Sequence, residues 1–148
     1  MPAKKPLIIF GLIIFLVSML LFNKDLLPKT QDPITAMSQT DTLIQKFETQ
    51  VKNNPKQITS YLFLADAYVQ KVRETADAAY YEKVEQLLYS AKAIEPDNPE
   101  IYAIQAKVDY GRHHFSSGLE NVKKAQMLSP KRPAYYGLIA DAQLELGQ

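Results

Sequence analysis

Residues 88–102 read LYSAKAIEPDNPEIY and residues 122–136 read VKKAQMLSPKRPAYY. Laid over one another at an offset of 34, they place Leu88 on Val122, Ala91 on Ala125, Ile94 on Leu128, Pro96 on Pro130 and Tyr102 on Tyr136. Five coincidences at one offset mark an internal repeat, a unit that cannot bury its apolar face alone and stacks on copies of itself.

Working backward, Phe47 to Leu88, Pro55 to Pro96 and Tyr61 to Tyr102 are each 41 apart, the same unit with seven extra residues. The insertion falls around Val72 to Ala78, VRETADA, which is polar and is expected where one helix ends and the next begins. Helical periodicity starts at Thr40, where Leu43, Ile44, Phe47 and Val51 recur every three or four residues until Asn53, Asn54 and Pro55 stop the run.

A helix-turn-helix unit of this length resembles the tetratricopeptide repeat (TPR). The helix A pattern of aromatic, leucine, small residue and tyrosine is Tyr61, Leu64, Ala65 and Tyr68 in the first unit. The second unit keeps Tyr102 and Ala106 but carries Gln105 and Asp109 in the leucine and tyrosine places, which predicts looser or more polar packing there. The third has Tyr136, Ile139, Ala140 and Gln143, then Gly147 at the turn. Helix B matches through Val84, Leu88, Ala91 and Pro96, and again through Gly118, Val122, Ala125 and Pro130. Small residues let neighbouring helices approach closely, and the proline after each helix B prevents its continuation.

The resemblance implies an all-α protein with a short TPR-like α-solenoid over residues 40–148. It divides into a half repeat (40–57), a repeat with the insertion (58–98), a repeat (99–132) and helix A of a further one (133–148). In the resembling family helix A lines a concave surface at i, i+4 and i+7. Here those positions are Leu62, Asp66 and Val69, then Ala103, Lys107 and Tyr110, then Gly137, Asp141 and Leu144. Their mixture of apolar and charged groups would suit a protein or peptide partner with apolar anchors and a few charges.

The last helix, PAYYGLIADAQLELG, is apolar on more than one face, whereas a terminal repeat ordinarily has a polar outer side. The array is therefore expected to continue in a longer protein; self-association through this open C-terminal helix is the alternative.

Ahead of the repeats, Leu7 to Phe22 reads LIIFGLIIFLVSMLLF, sixteen residues without a charge. Such a helix is roughly 24 Å long, short of a hydrocarbon core of roughly 30 Å, but Leu26 and Leu27 extend it if Lys24 snorkels. A cleaved secretory signal needs small residues directly after the apolar run, and NKDLLPK follows instead. Residues 1–22 are thus expected to hold a transmembrane signal anchor over about 7–22, and 23–39 a polar linker with Pro28 and Pro33. Lys4 and Lys5 favour a cytoplasmic N-terminus, so the expectation is a single-pass membrane protein with its TPR domain extracytoplasmic.

Several function classes drop out. The chain has no cysteine, so no disulfide or thiol chemistry is available. Formal charge is +1, or −1 without Lys4 and Lys5, too balanced for nucleic-acid binding. His113 and His114 in YGRHHFSSG point about 100° apart on a helix and have no third ligand, so no metal is expected. That stretch is instead the turn between the helices of the second unit, with Gly111 near the end of helix A and Ser116 or Ser117 helping to start helix B. No nucleophile elbow or phosphate loop is present, so neither enzymatic activity nor a cofactor is expected. The expected function is a membrane-anchored protein–protein interaction scaffold in assembly or biogenesis of a complex; the alternative is the membrane-proximal part of a larger sensor or enzyme continuing beyond Gln148.

Overall fold

Three connections of identical design set the architecture. In the computed structural model, which describes residues 37–148, the segments 54–57, 95–98 and 129–132 each turn the chain from one helix into the next. Each begins with a residue whose N–H still bonds four residues back (Asn54 to Gln50, Glu95 to Ala91, Ser129 to Ala125), then reverses at Pro55, Pro96 or Pro130. A tyrosine six residues after the proline closes the turn by donating its hydroxyl to the proline carbonyl: Tyr61 to Pro55 at 3.0 Å, Tyr102 to Pro96 at 2.9 Å, Tyr136 to Pro130 at 3.1 Å. Proline gives up only an N–H that a turn does not need, and its free carbonyl becomes the acceptor.

These turns separate six helices among the described residues: α1 (Gln39–Asn53), α2 (Ile58–Thr75), α3 (Ala79–Ile94), α4 (Pro99–Gly111), α5 (Phe115–Leu128) and α6 (Pro133–Glu145). Local signals start them. Ser38 caps α1 by accepting from the Asp41 N–H, and Asn98 caps α4 by accepting from the Glu100 N–H, with Pro99 and Pro133 opening α4 and α6. Neighbouring helices pack in sequence order, α4 on α5, α3 on α2, α2 on α1 and α6 on α5, and α2, α4 and α6 also meet one another in turn. This is the TPR-like all-α arrangement, with α2, α4 and α6 as the A helices and α1, α3 and α5 as the B helices.

Helix pairs meet at alanine. Ala65 of α2, Ala91 of α3, Ala106 of α4 and Ala125 of α5 have no exposed surface, and Val84 and Val122 fill the layers between them. Around the first pair gather Leu64, Tyr68, Val69, Leu88, Ile104 and Val108; around the second, Tyr102, Ala103, Leu119, Tyr135 and Ala142. A single extra methylene at such a contact forces the helices apart, which is why the small residues recur at the repeat offset.

The seven additional residues of the first unit fall at the expected helix junction and lengthen the helices on either side of it. α2 is 18 residues against 13 for α4, and α3 is 16 against 14 for α5, while the connections Ala76–Ala78 and Arg112–His114 are both three residues long. The insertion is absorbed as helix, with Val72 buried. The extra length of α2 has a support that α1 provides: Lys71 pairs with Asp41 at 2.6 Å, and Thr40 donates to Glu74 at 2.5 Å.

In the second unit the polar departures form a network. Asp109 is only 6% exposed and accepts from Gln105 Nε2 (3.1 Å), Ser117 Oγ (3.2 Å) and Asn121 Nδ2 (2.8 Å). Where the first unit stacks Tyr68 on Tyr80, the second therefore ties α4 to α5 by hydrogen bonds. Ser117 serves this network and not the start of α5, whose N-cap His114 makes no side-chain bond.

Both A-to-B turns use a left-handed residue that is not glycine, Ala76 at φ 56° and His113 at φ 61°. Gly111 serves packing instead, since a Cβ there would overlap the Tyr81 hydroxyl. Residues 37–148 form one compact unit. The expected transmembrane helix at 7–22 and most of the 23–39 linker lie outside the described residues; no described helix is long and apolar enough to cross a membrane.

Two stability changes are expected, both read from urea unfolding midpoints. His113→Gly should stabilise by about 0.5–1 kcal/mol by relieving the left-handed residue. Asp109→Ala should cost about 2–3 kcal/mol, because three donors lose their buried acceptor.

Candidate functional site: the groove across α2, α4 and α6

Because the A helices lie side by side, their shared face forms a groove. Its first part, a concavity of about 420 Å³, is lined by the leading halves of the three helices: Leu62, Phe63 and Asp66 of α2, Ala103, Ile104 and Lys107 of α4, Ala134, Tyr135 and Leu138 of α6, with Thr59, Asn98, Glu100 and Arg132 at the margin. The second part, about 340 Å³, lies toward their C-terminal ends between Val69, Arg73, Tyr81, Tyr110, Phe115, Asp141 and Glu145. Lys107 and Leu138 belong to both and form the saddle between them.

Charge on the first concavity is neutralised from within. Lys107 Nζ binds Asp66 Oδ1 at 2.5 Å, joining α4 to α2. Arg132 Nε lies 3.0 Å from Glu100 Oε1, the oxygen to which the Tyr135 hydroxyl also donates at 2.6 Å. Burial, aided by that carboxylate, pushes the Tyr135 phenol well above its ordinary range. Both ion pairs are partly exposed, so each contributes less than about 1 kcal/mol to stability. Their larger effect is to leave the groove wall with apolar surface and no free charge. In the second concavity Arg73 on one wall and Asp141 and Glu145 on the other make no ion pair with any described residue.

The sequence-predicted positions divide between these parts. Leu62, Asp66, Ala103 and Lys107 line the first, and Val69, Lys107, Tyr110 and Asp141 the second. Ala103 and Val69 are buried and contribute floor, not free side chains. Leu144 lines neither concavity and is 76% exposed; Gly137 likewise faces open space. The i+7 position of an A helix packs toward the following unit, as Val69 and Tyr110 do, and among the described residues no helix follows α6. On α6 the groove-lining set is Ala134, Tyr135, Leu138, Asp141 and Glu145.

Three apolar residues that line the groove were not among the predicted ones. Phe63, Ile104 and Leu138 follow one another across the three helices: Phe63 is 53% exposed with its ring stacked on Phe47 at 5.1 Å, Leu138 is half-buried, and Ile104 is buried and forms the floor between them. Their offsets are 41 and 34, the repeat offsets themselves, so the register that located Leu62 and Ala103 also reaches them one residue further on.

Tyr110 holds the groove's far wall. Its ring rests where a Cβ on Gly118 would overlap it, lies 6.2 Å from the Phe115 ring, and its hydroxyl donates to the Leu138 carbonyl at 3.0 Å. Burial, with the Asp141 and Asp109 carboxylates nearby, raises its pKa to about 12. His113 packs edge-on against Phe115 at 5.7 Å, and no group of metal-ligating side chains occurs among the described residues.

No family model and no curated protein matches the chain. Among solved structures, a thermophilic TPR protein from Thermus thermophilus superposes with a TM-score of 0.68 at 20% sequence identity, over 73% of this chain and 57% of that one. The likeness shows a TPR-like fold, and the chain spans little more than half the length of that neighbour.

A phenol whose folded pKa exceeds its unfolded value, about 10, contributes stability that is fully present below the unfolded pKa and is lost as pH rises through the folded one. Tyr110 should therefore cost the protein stability between about pH 10 and about 12. The stability of the wild type minus that of Tyr110→Phe, followed across that window by urea unfolding, should fall with rising pH; a constant difference would contradict the assignment.

Proposed function

We propose that the protein is a membrane-held scaffold that binds a partner protein or peptide in the α2/α4/α6 groove, in the assembly or biogenesis of a complex. The observation that carries this reading is the apolar stripe Phe63, Ile104 and Leu138, running across three helices between walls whose charges are already paired. Such a surface suits a segment that brings apolar anchors, laid across the A helices as a helix or an extended strand. It does not suit an acidic chain terminus that needs free lysines or arginines, because Lys107 and Arg132 are engaged.

Leu62, Asp66, Ala103 and Lys107 would shape the anchor site, and Val69, Tyr110 and Asp141 the adjoining part. Residues 7–22 would hold the chain in the membrane as a single-pass anchor, with the N-terminus cytoplasmic and the repeats extracytoplasmic. The uncharged length of that segment and Lys4 and Lys5 ahead of it support this placement. The scaffold reading involves no catalysis, cofactor or nucleic acid.

A photo-crosslinking amino acid in place of Phe63, in the full chain in its native membrane, should capture one recurrent partner. The same probe at Tyr89, exposed on α3 outside the groove, should not. Leu62→Asp should then abolish binding of the purified partner while circular dichroism remains unchanged. Equal labelling from both positions, or binding indifferent to Leu62→Asp, would sink the groove assignment.

A further inference from the structure

The second concavity of the groove is built differently from the first. Its floor is apolar and aromatic, with Val69, Tyr110, Phe115 and Leu138, but its two walls carry charge of opposite sign. Arg73, in the last turn of α2, stands on one wall; Asp141 and Glu145, one turn apart on α6, stand on the other. All three are exposed, and none pairs with a described residue.

The imbalance arises in the row of charges that crosses the A helices. Asp66, Lys107 and Asp141 occupy equivalent repeat positions on α2, α4 and α6, so two carboxylates flank one lysine. Lys107 is committed to Asp66 at 2.5 Å. Asp141 is close enough to Tyr110 to help keep its phenol protonated, and that hydroxyl is already donated to the Leu138 carbonyl. Asp141 thus faces α4, inside the groove, with no cation paired to it there.

We propose that the partner presents a bipolar segment to the groove. An apolar side chain fills the first concavity between Phe63 and Leu138; in the second, a basic side chain lies against Asp141 and Glu145 and an acidic one against Arg73. The proposal rests on the groove reading above and adds the charge pattern of the bound segment. Charge complementarity carries it, because a segment of one sign would satisfy one wall and be repelled by the other. Asp141 and Glu145 follow Leu138 by three and seven residues, roughly 5–10 Å of helix rise, which sets the basic residue of an extended segment about two or three positions from its apolar anchor.

The test uses random dodecapeptides displayed on phage and selected against the full chain in mild detergent. Selected peptides should share an apolar residue with a basic and an acidic one at fixed spacing. Asp141→Lys with Glu145→Lys makes both walls basic and should select acidic peptides that lack the basic residue. Arg73→Glu makes both walls acidic and should select the reverse. Circular dichroism should be unchanged in both variants, since the three side chains are exposed. In fluorescence anisotropy, glutamate in place of the basic residue of a selected peptide should weaken its binding to the wild type by about 10-fold, a difference that shrinks as salt rises. Leu62→Asp separates this proposal from the groove reading. Peptides that lose binding to that variant yet show no charge pattern, or one unmoved by the wall reversals, would overturn the bipolar segment alone. Peptides indifferent to Leu62→Asp, or the selection of none, would overturn both.

Discussion

The fold depends on how closely two helices can approach at alanine. Ala65 against the α3 side, and Ala106 against α5, are sealed completely, and every larger core side chain packs in the layers those contacts leave. With that spacing set, the proline turn and its tyrosine brace return the chain through the same connection three times. The A helices then fall side by side, and a groove follows as a geometric consequence of repetition. The energy of the array therefore sits mainly in nearest-neighbour contacts, as expected of a quasi-one-dimensional stack.

Much of this was legible because repetition turns weak local signals into coincidences. Pro96 alone says only that a helix ends nearby; Pro55, Pro96 and Pro130 with Tyr61, Tyr102 and Tyr136 at constant distance specify a turn and its brace. What repetition could not convey was where the units differ. The segment 72–78 reads as a polar helix junction, and the junction does fall there, but the chain alone does not show that most of the segment extends α2, because α1 presents Asp41 and Thr40 to Lys71 and Glu74. Gln105 and Asp109 read as defects until Ser117 and Asn121 are brought opposite them by the fold. A pairwise compensation across two helices leaves no periodic trace in the chain.

The groove was half legible for a related reason. Counting i, i+4 and i+7 along one helix finds a face about 60° wide, but which edge of that face turns inward depends on the neighbouring helix. On α2 and α4 the count reached Leu62, Asp66, Ala103 and Lys107, and stopped one residue short of Phe63 and Ile104. On α6 it reached Gly137 and Leu144, whose side looks outward because among the described residues nothing packs beyond it. Reading across the repeats instead of along the helices recovers the stripe, since Phe63, Ile104 and Leu138 share the repeat offsets.

The pairing of groove charges has a consequence for what kind of recognition the surface supports. Asp66 with Lys107 and Glu100 with Arg132 remove the local fields that would otherwise steer a charged ligand from a distance. A ligand entering the first concavity gains by covering Phe63 and Leu138, and loses if it must break either pair to seat a charge of its own. Shape and apolar area, then, set selectivity there, whereas Arg73, Asp141 and Glu145 in the second concavity remain free to set orientation. Opposite charges on opposite walls distinguish the two directions in which a segment can lie across the helices, which the uncharged stripe by itself cannot do.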